Sequence, residues 1–305
     1  MSEKIFEVDI KNNPTLILGV TIERNFEKKT AKLHQQQYIK DLLQQEQMED
    51  LNESKGETPM NAGVPQHAQK LKEEGLLTPD MGCEPDLRRV IGKLMWLSIK
   101  TRPDLAFAVG FLARMCLTAG ETQMKWARQI LRYLSKTKDD GLLIDGNKPL
   151  ELKVYSDSDW AGDAATAKST TGIHASLGGT TIFTRSRLQR KISDSVGMAE
   201  TYAAHDACRY ISWVLGITTE LGLQIQRPVP LYVDNKGVYD QAREAKSHEA
   251  SKHYRLSQAV IREMHAKRIV EVTKIDTSEN VADYHTKPLS GAVFTKHRDV
   301  IMGRE

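Results

Sequence analysis

With 305 residues, 40% of them hydrophobic and 27% charged, the chain has an ordinary globular composition and length enough for two domains, which excludes wholesale disorder, collagen-like repeats and a coiled coil. Its net charge of +3 is too small to argue for a nucleic-acid partner by itself. No apolar run approaches the ~18 residues of a membrane-spanning helix, and the Met-Ser-Glu-Lys start lacks the apolar stretch of a signal peptide. We therefore expect an intracellular protein, in cytoplasm or nucleus and not secreted, with no membrane partner. Three dispersed cysteines without CxxC spacing argue against a thiolate-held metal.

In chain order, Ile17 to Glu23 reads as a strand, and Gln35 to Gln47 as a helix carrying Tyr38, Ile39, Leu42 and Leu43. Asn52 to Pro85 is polar and acidic with four prolines, the texture of a linker or long surface loop. Charge then reverses: Gln44 to Pro85 holds nine acidic against three basic residues, Asp86 to Lys138 eleven basic against three acidic. That basic window contains three helical patterns, Leu87 to Lys100, Pro103 to Leu117 and Glu121 to Lys136. On the third, Trp126, Ala127, Ile130, Leu131 and Leu134 share one side, while Lys125, Arg128, Arg132 and Lys136 share the other. One side should pack; the other is a basic stripe, either a guide for nucleic acid or a solvated face.

Beyond Gly146 the texture changes to short β-rich runs. Leu150–Asp157, Gly172–Leu177 and Thr180–Arg185 read as strands, the last two joined as a hairpin by Gly178-Gly179. A helix over about Gly197–Leu223 follows, then strand Val229–Asp234, helix Ser251–Ala266, strand Val270–Ile275 and a short helix Asn280–Lys287. Strands followed by alternating helices and strands give an α/β domain with a mixed sheet.

Two of these strands end alike, in Tyr155-Ser156-Asp157 and Tyr232-Val233-Asp234, so each delivers a carboxylate at its C-terminal end, where ligands of open α/β sheets sit. Either aspartate alone could simply cap a turn. Ala203, Ala207, Tyr210, Val214, Ile217 and Leu221 form an apolar stripe on the long helix, with Glu200 in line three residues before Ala203. A glutamate there is costly unless paired or metal-bound, although a first-turn position beside the helix dipole is a milder explanation. Asp283 opens the last short helix and adds a fourth acid. Converging without a counter-ion, such carboxylates repel by about 4 kcal/mol per close pair, a conflict that divalent cations remove.

The string Tyr155-Ser156-Asp157-Ser158-Asp159-Trp160-Ala161-Gly162, with Lys168-Ser169-Thr170-Thr171-Gly172, resembles the start of the ribonuclease H domain of copia-type retrotransposon Pol polyproteins. Ala199-Glu200, Tyr232-Val233-Asp234-Asn235, Ser251-Lys252-His253, Val281-Ala282-Asp283 and Thr286-Lys287-Pro288-Leu289 continue the resemblance. Upstream, Leu18-Gly19-Val20, Gln37-Tyr38, Thr58-Pro59-Met60, Val90-Ile91-Gly92-Lys93-Leu94, Thr101-Arg102-Pro103-Asp104 and Ile130-Leu131-Arg132-Tyr133-Leu134 resemble the segment between the reverse transcriptase palm and that domain. The match runs in family order from about Leu16 to Met302.

This resemblance implies an α/β, ribonuclease H-like mixed five-stranded sheet with flanking helices, preceded by a mainly helical thumb and connection region. The implied division is 1–62 for the end of the palm and thumb, 63–85 for a linker, 86–147 for the helical connection, 148–290 for the ribonuclease H-like domain and 291–305 for a C-terminal tail. It implies a metal-dependent endoribonuclease that hydrolyses the RNA strand of RNA·DNA hybrids, with Asp157, Glu200, Asp234 and Asp283 as catalytic residues and ligands of two Mg²⁺ ions, or of Mn²⁺ in their place. The hybrid and the polymerase portion of the polyprotein are the implied partners. Arg185, Arg187, Arg190 and Lys191, and the stripe Lys125, Arg128, Arg132 and Lys136, are expected to contact nucleic-acid phosphates.

Two departures stand out. The family's usual Glu-x-Glu before the helix is here Met198-Ala199-Glu200, and the histidine near the last active-site loop of cellular ribonucleases H has no match in Val272–Asn280. Tyr232-Val233-Asp234-Asn235 mimics the Tyr-x-Asp-Asp of a polymerase site but lacks its second Asp, so polymerase activity is not expected. The alternative is a catalytically silent nucleic-acid-binding remnant. A third reading, a haloacid-dehalogenase-like phosphatase using Asp157 of Asp157-Ser158-Asp159 as nucleophile, leaves Glu200 unexplained.

Overall fold

The computed structural model describes residues 12–48, 57–77, 85–116, 120–163, 166–243 and 254–304. The first half holds a small antiparallel sheet of strands β1 (Leu16–Ile17), β2 (Val20–Asn25), β3 (Thr30–His34) and, far along the chain, β4 (Leu142–Asp145). The single strand expected over Ile17 to Glu23 is divided by Leu18 and Gly19, both at positive φ, which turn β2 back onto β1. Helices α1 (Gln36–Gln45), α2 (Val64–Glu73), α3 (Pro85–Lys100), α4 (Ala106–Ala113) and α5 (Glu121–Lys136) pack on one another. Their apolar faces form one core, with Ile39, Leu42, Leu94, Leu97, Ile130 and Leu134 at or near zero exposure.

Between α3 and α4, Thr101-Arg102-Pro103-Asp104 does more than interrupt a helix. Arg102 is fully buried and makes a bidentate pair with Asp104 at 2.7 and 2.9 Å. Tyr133 donates to the same carboxylate at 2.7 Å, and Arg102 also donates to the backbone and hydroxyl oxygens of Thr137. Burial of such a pair is tolerable because nearly every donor and acceptor is satisfied.

The second half is the mixed five-stranded sheet with flanking helices that the sequence predicts. Strands β5 (Leu152–Asp163), β6 (Lys168–Leu177) and β7 (Thr180–Leu188) form an antiparallel meander, and β8 (Val229–Val233) and β9 (Val270–Lys274) add to β5 in parallel, giving the order β7-β6-β5-β8-β9. The long helix α6 (Val196–Glu220) covers one face, followed by α7 (Lys236–Arg243) and α8 (Arg255–Ala266). Ser195 caps α6 by accepting from the Met198 N–H. A tight 3-10 turn, Val281–His285, and the helix α9 (Gly291–Ile301) lie on the opposite side with the helices of the first half. Under that turn His285 stacks on His174, both fully buried, and burial keeps both imidazoles neutral.

Several expectations need correction. Residues 63–85 are not merely a linker: α2 forms there, and Val64 and Ala68, four apart, bury one face in the core. Residues 78–84 lie outside the described residues, as do Ser251-Lys252-His253. Within the segment expected as a C-terminal tail, α9 buries Phe294 against Tyr133 and Tyr284 at centroid distances of 6.0 and 5.3 Å. The buried stripe of α6 runs through Glu200, Ala203, Ala204, Ala207, Ile211, Val214 and Leu215, while Tyr210, Ile217 and Leu221 lie outside it. The small residues win the core side because they let the helix approach the sheet closely.

Candidate active site

Parallel pairing sets the site. Tyr155 lies opposite Tyr232 in the β5–β8 register, and their rings stack at 4.7 Å. Two residues further on, Asp157 and Asp234 therefore lie side by side, about the ~4.8 Å spacing of a sheet apart. Asp234 follows the end of β8, whereas β5 does not end at Asp157 as expected but runs on to Asp163. Glu200 arrives from the second turn of α6, so the first-turn helix-dipole explanation does not hold. Carboxylate oxygens of Asp157, Glu200 and Asp234 all lie within 4.8 Å of one another. Asp283 joins from the Val281–His285 turn, so four elements converge.

That turn can approach because the residue paired with Asp157 is Gly172. A Cβ there would sit 2.6 Å from the Ala282 carbonyl and 2.6 Å from the Thr286 methyl. The close approach lets the Thr286 hydroxyl donate to Asp157 Oδ2 at 2.5 Å, while Asn280 ties the turn to the Ser156 carbonyl at 3.1 Å. One residue on, Lys287 Nζ lies 2.9 Å from Asp283 Oδ2.

Burial raises Asp157 to about 8, with the negative charges of Asp283 and Asp234 adding to the effect and the Thr286 hydrogen bond opposing it. Glu200 is pushed well above the ordinary carboxylate range by burial and by Asp157 and Asp234, against a 3.3 Å hydrogen bond from the Ser158 N–H. Asp283 Oδ1 is buried and has no hydrogen-bond partner. A hard divalent cation suits this donor set: carboxylate oxygens only, mutual repulsion that a cation relieves, and an acceptor atom left without a donor.

In the curated sequences, the Retrovirus-related Pol polyprotein from transposon TNT 1-94 of Nicotiana tabacum is 32% identical over 285 residues, covering 93% of this chain and 21% of that protein. The corresponding polyprotein from transposon RE2 of Arabidopsis thaliana is 32% identical over 209 residues, 68% of this chain and 14% of its own length. The chain belongs to the Pol family of copia-type retrotransposons. This Pol segment spans about a fifth of the tobacco polyprotein it matches. No protein-family model matches it. Among solved structures, LC11-RNase H1, isolated from compost, aligns at 14% identity and TM-score 0.35, over 45% of this chain and 93% of that one.

All four acids singled out in the sequence of the Pol segment thus come together. Among the basic residues, Arg185, Arg187, Arg190 and Lys191 line a groove between β7 and α6, and Arg185 is held by Asp206 of α6 at 3.1 Å, a partner that sequence order concealed. Lys125, Arg128 and Lys136 are exposed on the outer side of α5 with Arg132 half-buried, and Trp126, Ala127, Ile130, Leu131 and Leu134 are buried on the other, as expected. Lys125 pairs with Glu121 at 2.9 Å. Sequence reasoning gave no role to Thr286 and Lys287, each of which touches one acid of the cluster. Their motif was visible; which carboxylate each would meet depends on the path of the turn.

Proposed function

We propose that this Pol segment is a ribonuclease H that hydrolyses the RNA strand of RNA·DNA hybrids, using two Mg²⁺ ions at Asp157, Glu200, Asp234 and Asp283. The observation that carries the reading is the convergence of four buried or half-buried carboxylates from four separate elements. When bound, the cations supply Lewis-acid stabilisation of charge at the scissile phosphate and an activated water. The chain's residues do the rest: Thr286 orients Asp157, the Ser158 N–H orients Glu200, and Lys287 holds one oxygen of Asp283 so that the other faces the cluster. The basic stripe of α5 and the cations beside α6 would neutralise backbone phosphates of the duplex.

A labelled RNA·DNA hybrid, an RNA duplex and single-stranded RNA incubated with the full chain and Mg²⁺ test this. Cleavage confined to the hybrid, abolished by chelation and by Glu200→Gln, is expected. Undiminished cleavage by Glu200→Gln, or equal attack on single-stranded RNA, would refute it.

A further inference from the structure

The open groove between β7 and α6 has a volume of about 880 Å³; none of the four acids lines it, but two of its lining residues contact chain neighbours of those acids. Its inner end is Thr171, paired in the sheet with Ser158, and Gln189, which donates to the Ala199 carbonyl one residue before Glu200. Because β7 alternates, Phe183, Arg185 and Arg187 face α6, whose flank carries Tyr202, Asp206, Arg209, Tyr210 and Trp213. Two kinds of side chain therefore line one channel.

One kind is aromatic. Phe183 and Tyr210 stack at 3.9 Å with rings 20° apart, and Tyr210 meets Trp213 at 5.5 Å, a continuous strip ending in an indole that is 59% exposed. The strip lies beside the buried stripe of α6 and serves no contact of the sheet core, apart from the packing of Phe183 and Tyr210 at its margin. The other kind is cationic. Of the basic residues lining the groove, Arg185 is offset by Asp206, the sole lining acid, whereas Arg187, Arg190, Lys191 and Arg209 have no acidic partner among the described residues.

We propose that this groove binds an unpaired nucleic-acid strand continuous with the hybrid, its phosphates on Arg187, Arg190, Lys191 and Arg209 and its bases stacked along Tyr210 and Trp213. Charge decides against an apolar or basic occupant. The exposed ring of Trp213 decides between single strand and duplex, because paired bases are already stacked on one another and offer only a backbone to such a groove, whereas every unpaired base has a free face to stack. The inference rests on the hybrid-cleaving reading and extends it: the natural substrate would be a hybrid with a single-stranded extension at the groove's side of the cut.

Anisotropy with labelled probes in chelator separates the two. The probes are a blunt RNA·DNA hybrid, the same hybrid with a ten-nucleotide dT or rU overhang, and dT alone; the proteins are the full chain and Trp213→Ala, with Trp213→Phe as the conservative variant. We expect an overhang to tighten binding, Trp213→Ala to lower the overhang-to-blunt affinity ratio by about fivefold or more, the loss of one stacked base, and Trp213→Phe to restore most of it. Whichever overhang responds identifies the strand. An overhang that adds nothing, a ratio that Trp213→Ala leaves unchanged, or displacement of dT by an acidic peptide as readily as by more dT would overturn the groove inference. Blunt-hybrid cleavage with no overhang effect fails the groove alone. Trp213-dependent dT binding without hybrid cleavage fails the proposed function alone.

Discussion

Asp157→Asn should stabilise the metal-free protein, and by an amount that depends on pH. The carboxyl is 5% exposed and lies beside two further acids, with its pKa raised from 3.8 to about 8. Because the folded-state value is the higher one, folding takes up a proton; the stability this contributes is whole below about pH 4 and is lost as pH rises toward 8. Carried by Asp157 alone, a difference of that size is worth about 6 kcal/mol at 1.36 kcal/mol per unit. Burial is the largest cause and the repulsion is spread over Asp283 and Asp234, so roughly half, about 2–4 kcal/mol, is the expected gain on removing one charge. The asparagine oxygen can still accept from Thr286, and little packing changes.

At about 2 cal/mol/K of unfolding entropy per residue, that gain raises the melting temperature by about 3–6 °C for a chain of this length. The measurement is thermal unfolding of wild type and Asp157→Asn in chelator from pH 4 to pH 8.5. Taking the difference cancels the groups that do not interact with Asp157, while Glu200, which Asp157 raises, remains part of it. We expect coincident curves near pH 4 that diverge as pH rises, and Mg²⁺ that recovers the wild type more than the variant, which has lost a ligand. Parallel curves, or a variant less stable at pH 8 than at pH 4 relative to wild type, would refute the account of a strained carboxylate cluster.

Gly172→Val should cost about 1–3 kcal/mol by overpacking, because even its first carbon meets the Ala282 carbonyl and Thr286 methyl at 2.6 Å; hybrid cleavage should fall further than stability explains, and a variant with unchanged activity and melting temperature would show that the turn need not lie so close. Reversing Lys125, Arg128 and Arg132 to Glu should weaken binding of long hybrids more than of hybrids too short to reach both halves, measured by anisotropy, and equal losses would make the α5 face a solubilising surface instead.

The acids were legible in the sequence because each signal was local. Tyr155 to Asp157 lies within one strand and Tyr232 to Asp234 spans the end of another, and Glu200 repeats with its own helix. What the sequence could not convey was non-local. The β3–β4 pairing joins segments far apart along the chain, and Leu142 to Asp145 is too short to announce a strand. The stripe on α6 was displaced because Tyr210, Ile217 and Leu221 outweigh alanine on any hydrophobicity count, although Ala203, Ala204 and Ala207 are what close packing against a sheet selects. That same displacement hid the groove: an aromatic residue taken for core is one whose ring is not sought at the surface.

The site also depends on the half of the chain that carries none of its acids. Val281 and Tyr284, on either side of Asp283, belong to the core built by α1 to α5, and α9 clamps them there through Phe294. From the same turn, Asp283 and Thr286 look toward β5. The fourth carboxylate is therefore positioned from behind by helices of the first half and by a segment beyond residue 290, while the other three are positioned by the sheet and α6. A boundary drawn at 148–290 would keep every acid and remove what holds one of them in place.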